Sequence, residues 1–156
     1  FNKPVFTFDD KHMTINEEGT STKSKYYFAD ESILTTPQKD VKMPETEVEF
    51  TLTQTDLTNI KKAASMLQLP DIAVKSVGSD IIMSAVDKKN DTANTYDVKV
   101  GETNKKFEFH FKTEHFKMLP GDYTVGISSK LISNFKNKNK TVQYWIALEN
   151  TSKYEG

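Results

Sequence analysis

The stretch EVEFTLTQTDLTNIKKAASMLQLPDIAVKSV, Glu47–Val77, decides how the rest of this chain is read. Its opening, Glu47 to Thr53, alternates apolar and polar residues at period two, the pattern of a half-buried strand. Thr53 is placed to cap a helix, with Asp56 three residues on as the acidic partner of a capping box. Leu57, Ile60, Ala63, Ala64 and Leu67 then recur at helical spacing, so the expectation is a single apolar stripe facing a core. Pro70 ends the helix because it has no N–H to donate and its ring collides with the preceding turn. Asp71 to Val77 is the next strand. The helix's other face carries Thr58, Asn59, Lys61, Lys62 and Ser65, with no carboxylate. Solvated helices normally mix signs at i, i+4. Two cations among small neutral side chains suit a surface held near phosphate, and two lysines on one face also arise by chance.

Composition narrows the function classes. At 156 residues one domain or slightly more is expected, with enough chain for a sizeable core. A formal net charge of −1 lacks the global basic signature of a strong nucleic-acid binder, so any phosphate contact must come from a local patch. All the basic residues counted in Lys+Arg are lysine. That favours point-charge contacts over bidentate recognition, although an AT-rich genome explains it equally well and the asparagines fit the same bias. Without cysteine there are no disulfides and no thiolate metal sites. No apolar run approaches the roughly 18 residues of a membrane span. The chain opens Phe1-Asn2-Lys3-Pro4, without a methionine, as if cut from something longer.

In chain order, Pro4 to Phe8, His12 to Asn16 and Thr22 to Ala29 read as three short strands. Such a sheet with one apolar face cannot close a core by itself. Residues 30–46, with Pro37, Met43 and Pro44, lack periodicity and read as a connector. After the strand–helix–strand come strands at Asp80 to Asp87 and Ala93 to Val100, and then the pattern restarts. Phe107 to Phe111 alternates as a strand, and Thr113 to Leu119 is expected to form about two turns of helix before Pro120-Gly121. Asp122 to Ser128, a weaker Leu131 to Lys136 and Thr141 to Glu149 complete the second round. The unit is strand, helix and three strands, used twice. This predicts an α+β fold with two helices side by side on one face of a curved, mostly antiparallel sheet.

Catalytic motifs are missing. His12, His110 and His115 have no metal-ligand spacing, and there is no phosphate-binding glycine loop, zinc-protease motif or nucleophile elbow. Asp9-Asp10 and Glu17-Glu18 lie in hairpin turns, where solvation is their ordinary role. The alternating aromatics belong to core faces, because base stacking needs exposed rings in a basic groove. Neither an enzyme nor a cofactor is expected. A β-rich phage structural or binding module without a DNA role is the alternative reading.

The second round carries a family resemblance. Phe107-Glu108-Phe109 through Met118-Leu119-Pro120-Gly121-Asp122-Tyr123 resembles the strand, short helix, Met-x-Pro-Gly-x-Tyr turn and strand of the DNA sliding clamps of T-even-type bacteriophages. Tyr144 to Glu149 is similar to the last strand of those polymerase processivity factors, and Asp56-Leu57 opens the first helix as in the family. The resemblance implies a homotrimeric DNA-clamp ring around duplex DNA, acting in replication in the cytoplasm of the infected bacterial host. In that frame residues 1–29 are the C-terminal half of an incomplete first domain, 30–46 the interdomain connector and 47–156 the complete second domain. Lys61, Lys62 and Lys117 would sit on helices facing the hole and make sequence-blind phosphate contacts, with Lys112 just before the second helix. The replicative polymerase and the clamp loader would dock by a short peptide near residues 36–46, with Met43 contributing apolar surface. Protomers would join edge to edge, Thr22 to Ala29 against Ala93 to Val100. The residues at that joint are Lys23, Lys25 and Tyr27 on one edge and Tyr96, Asp97 and Val98 on the other.

Overall fold

A computed structural model describes residues 1–35 and 39–156. Pro37, and the first residues of the 36–46 docking segment, lie outside the described residues. The chain forms two compact units, Phe1–Asp40 and Val41–Gly156, dividing inside the expected connector.

The first unit is a three-stranded antiparallel sheet of β1 (Pro4–Phe8), β2 (His12–Glu17) and β3 (Lys23–Tyr27), in that order. Pairing sets Phe6 against Ile15, Phe8 against Met13, and Met13 against Tyr26. Because side chains alternate across a strand, these residues share one face. Phe6, Phe8 and Tyr26 remain at least half exposed. A one-turn 3₁₀ segment follows at Glu31–Ile33, capped by the Asp30 carboxylate.

In the second unit, the first round is β4 (Val48–Leu52), α1 (Gln54–Met66), β5 (Asp71–Val77), β6 (Asp80–Val86) and β7 (Tyr96–Glu102). The second round is β8 (Phe107–Lys112), a 3₁₀ turn at Thr113–His115, β9 (Tyr123–Ser128), β10 (Ile132–Asn137) and β11 (Gln143–Ala147). A short β12 (Lys153–Tyr154), not foreseen from the sequence, pairs with β8. The duplication is expressed as two interlocked antiparallel sheets, ordered β11-β10-β9-β4 and β12-β8-β5-β6-β7. The first takes β9, β10 and β11 from the second round and borrows β4, and the other takes β5, β6 and β7 from the first round and borrows β8, so neither round can close its sheet alone.

The inner faces follow from the period-two patterns. Val48, Phe50 and Leu52 pair in register with Ile127, Val125 and Tyr123, and all six are buried. Opposite them, Phe111, Ile72 and Ala85 form one row and Phe109, Val74 and Met83 the next. Phe111, Phe116 and Phe135 meet edge to face, the arrangement their ring quadrupoles favour. Leu131 to Lys136, read as a weak strand, is the full-length β10, paired on both sides and contributing buried Ser133, Asn134 and Phe135. Its polar letters hide a central strand because Ser133 satisfies its hydroxyl by donating to Ile146 O at 2.8 Å.

Two helical expectations need correction. Leu67 is not buried: it lies at the C-terminal cap of α1, 40% exposed, and Leu69 drops into the core in its place. The chain turns there because Gln68 takes a left-handed conformation, φ 55°, and Leu69 N–H donates back to Ala64 O. The expected second helix is only the 3₁₀ turn Thr113–His115. Lys112 supplies no side-chain cap, seven residues fall well short of a self-sustaining helix, and Phe116 and Met118 are both buried, a period-two demand. Among the described residues one α-helix, not two, therefore packs against the sheet, on β6 and β7. Among the described residues no helix is long and apolar enough to cross a membrane.

Candidate nucleic-acid interface

Helix α1 places the first pair of candidate lysines. Thr53 accepts the Asp56 N–H at 3.1 Å and donates its hydroxyl to the Asp56 carboxylate at 2.6 Å, closing the first turn. Gln54 N–H donates to Asp122 Oδ1 at 2.7 Å, which ties the helix start to the turn before β9. Leu57, Ile60 and Ala64 are buried, and the helix packs on β6 and β7. With that stripe fixed inward, Thr58, Asn59, Lys62 and Ser65 are exposed and Lys61 is half-buried. Asp56 is the sole acid in the helix and lies in its first turn, away from the two lysines.

The other two predicted lysines fare differently. Lys117 is exposed but sits beyond the 3₁₀ turn, in irregular chain, so it is not displayed by a helix. Lys112 Nζ lies 2.8 Å from Asp71 Oδ1 and 3.6 Å from Glu149 Oε2. Lys88 joins the same network, 2.6 Å from Glu149 and 3.6 Å from Asp71. Burial alone would raise the Asp71 carboxyl, but the hydrogen bond from Lys112 and the charges of Lys88 and Lys112 outweigh it and hold the group below the ordinary carboxylate range. Hydrogen bonding to Asp71 raises Lys112 in turn. A lysine held in this way has its charge matched inside the protein.

The edge residues belong to two different sheets. Lys23, Lys25 and Tyr27 lie on β3, an outer strand of the first unit, and all are exposed. Lys25 Nζ lies 5.7 Å from the centre of the Tyr27 ring. Tyr96, Asp97 and Val98 lie on β7, an outer strand of the five-stranded sheet. Tyr96 and Val98 point inward against the core while Asp97 is exposed. Met43 is half-buried on the outer face of the four-stranded sheet. A Cβ on Gly126 would lie 3.8 Å from Met43 Cε and 3.1 Å from Thr46 Cγ2, so the glycine is what lets residues 43–46 lie close to β9.

Sequence reasoning passed over three further lysines. Lys136, Lys138 and Lys140 are exposed around the β10–β11 turn. The signal was present in the letters: from Tyr123 to Leu148 the chain has four lysines, these three and Lys130, and no Asp or Glu. Among the described residues, neither these nor Lys61, Lys62 and Lys117 form an ion pair; the paired lysines are Lys3, Lys88, Lys99 and Lys112.

Residues 49–150 match the family model described as gp45 sliding clamp, C terminal. The chain belongs to the gp45 sliding clamp family. It is 33% identical over 150 residues to the sliding clamp of Vibrio phage KVP40, a match that spans 91% of this chain and 66% of that protein. Solved clamps share its fold at much lower identity. The DNA polymerase III beta chain of Streptococcus pneumoniae superposes with a TM-score of 0.57 at 11% identity, covering 94% of this chain and 41% of that one. A PCNA2–PCNA3 complex from Sulfolobus tokodaii gives 0.55 at 13%, covering 94% and 64%. The residues matched to the gp45-family model thus fall within the interlocked two-sheet unit.

Proposed function

We propose that the complete protein is a non-enzymatic sliding clamp that encircles duplex DNA and tethers the replicative polymerase during phage replication in the host cytoplasm. Membership of the gp45 sliding clamp family supports this reading. The observation that carries it is the outer face of α1, where exposed Lys62 and half-buried Lys61 stand among small neutral side chains without a carboxylate. A clamp needs only to avoid release, and point charges on a rigid helix give weak, sequence-blind phosphate contact suited to sliding. Lys117 is a further exposed charge, whereas Lys112 is engaged by Asp71.

The ring would close by β3 of one copy pairing with β7 of the next, head to tail, which covers two otherwise open strand edges. Polymerase and clamp loader would dock by a short peptide beside Met43 on the outer face of the four-stranded sheet. Co-sedimentation with a nicked circular plasmid and with the same plasmid linearised tests the topological mechanism. Retention on the circle and loss from the linear form is expected. Changing Lys61 and Lys62 to Glu should reduce the salt dependence of retention by about 0.9 in slope per lost contact. Equal retention on both plasmids overturns encirclement.

A further inference from the structure

We propose that the β10–β11 turn, carrying Lys136, Lys138 and Lys140, is a second contact for the phosphate backbone of duplex DNA, acting together with α1. The inference rests on the clamp reading and extends it to residues outside the helix.

The turn is built, not merely basic. Asn137 Oδ1 accepts the backbone N–H groups of both Asn139 and Lys140, each at 2.9 Å, so one carboxamide holds the tip in shape. Asn137 N–H closes the hairpin by donating to Val142 O at 3.0 Å. The Asn137 amide nitrogen is buried against Gly121, where a Cβ would come within 2.5 Å of it. Gly121 has φ +154°, so glycine serves both the backbone angle and the close approach. Three lysines are therefore shown from a braced scaffold, and two of them, Lys136 and Lys140, line a shallow depression of 250 Å³ with Asn137, Thr141, Val142 and Gln143.

Asp122 links this turn to α1. Its side chain accepts the N–H of Gln54 at 2.7 Å, and its carbonyl accepts the N–H of Lys138 at 2.9 Å. The basic tip is thus fastened to the start of the helix, and Lys61 follows about 10 Å along the helix axis from Gln54. Neither the tip nor the lysine face of α1 carries an acid, and the Asp122 carboxylate between them is engaged by the Gln54 N–H.

The chemistry favours duplex over a protein partner. Around the tip the exposed side chains are Lys136, Lys138, Asn139, Lys140, Thr141 and Gln143. An acidic protein would need an aromatic or arginine anchor at the centre of its footprint, and lysine is depleted there. An even rail of phosphates needs only spaced point charges.

Fluorescence anisotropy of a labelled duplex across a salt series tests this, using the 156-residue chain and three charge-neutralised variants. The variants are Lys136/Lys138/Lys140→Gln, Lys61/Lys62→Gln, and Lys11/Lys89/Lys153→Gln as a control for net charge. The turn variant should weaken binding and lower the salt slope by about 2.7, at about 0.9 per contact, while the control leaves the slope unchanged. Lys136/Lys138/Lys140→Arg should keep the slope, and its loss would show a structural effect and overturn the proposal. A turn variant that binds as the parent does, beside a weakened helix variant, overturns the second contact and leaves the clamp reading standing. A parent chain that does not bind the duplex even at the lowest salt overturns the second contact, while encirclement stands or falls on the plasmid test. A control that loses as much as the turn variant, or poly-glutamate that competes as well as duplex at equal charge, also overturns it.

Discussion

Lys112 and Asp71 face each other across β8 and β5 in register, with Nζ 2.8 Å from Oδ1 and the carboxylate almost wholly buried. Lys88 and Glu149 complete the network from the segments that follow β6 and β11. Four charges from both rounds of the duplication meet at one end of the five-stranded sheet. The pair pins the two rounds together and withdraws Lys112 from the solvent-facing lysines.

Asp71→Asn should destabilise the second unit by about 1.5–3 kcal/mol, the range for a hydrogen bond to a charged group. Chemical denaturation of both proteins at neutral pH measures it. A smaller change would mean that the network is relaxed by water.

The same network sets a pH dependence. Asp71 and Glu149 are held below their ordinary values, Glu149 chiefly by the hydrogen bond from Lys88. Lowered carboxylates contribute stability that is present above the unfolded value and lost as pH falls through the folded one. The urea midpoint should therefore hold at neutral pH and drop below about pH 4, and the drop should be shallower in Asp71→Asn. Lys112 is raised, so its share persists at neutral pH and disappears only as pH rises above the ordinary lysine range.

Ile60→Ala should cost about 2–5 kcal/mol, because the side chain is fully buried beneath α1. Leu67→Ala should cost less than about 1 kcal/mol, since that side chain is substantially exposed. Paired thermal melts settle the ranking, and equal losses would put Leu67 back in the core.

Gly121→Ala should destabilise by about 1–3 kcal/mol through overpacking against Asn137. In the double variant with Asn137→Ala the two losses should sum to more than the observed total, since removing the carboxamide removes the clash. Strict additivity in a double-mutant cycle would show that the contact is not shared.

Reversing charge on one edge, Lys23/Lys25→Glu, should weaken any self-association, and adding Asp97→Lys should restore it. Each exposed pair is worth about 0–1 kcal/mol, so the shift in association constant is at most about fivefold per pair. Analytical ultracentrifugation reads it. Failure of the compensating change to restore association would dissociate the two edges.

What the sequence by itself determined lies within a few residues of its cause. Period two in Val48–Leu52 made β4, Thr53 started α1, and the run from Phe107 to Tyr123 carried the family resemblance, whereas α1 ends at Met66, before Pro70, through the left-handed Gln68. Those are local preferences and local sterics, readable without a partner. Even so, the restart at Phe107 suggested a second helix that burial of Phe116 and Met118 reduced to one turn. Only the tertiary structure decided which lysines are available to a ligand. Lys112 is bound to a residue 41 positions earlier, and Asp122 fastens the Lys138 turn to a helix start 68 positions earlier. Charge pairing and bracing act through space, so no window on the sequence contains both ends of either interaction.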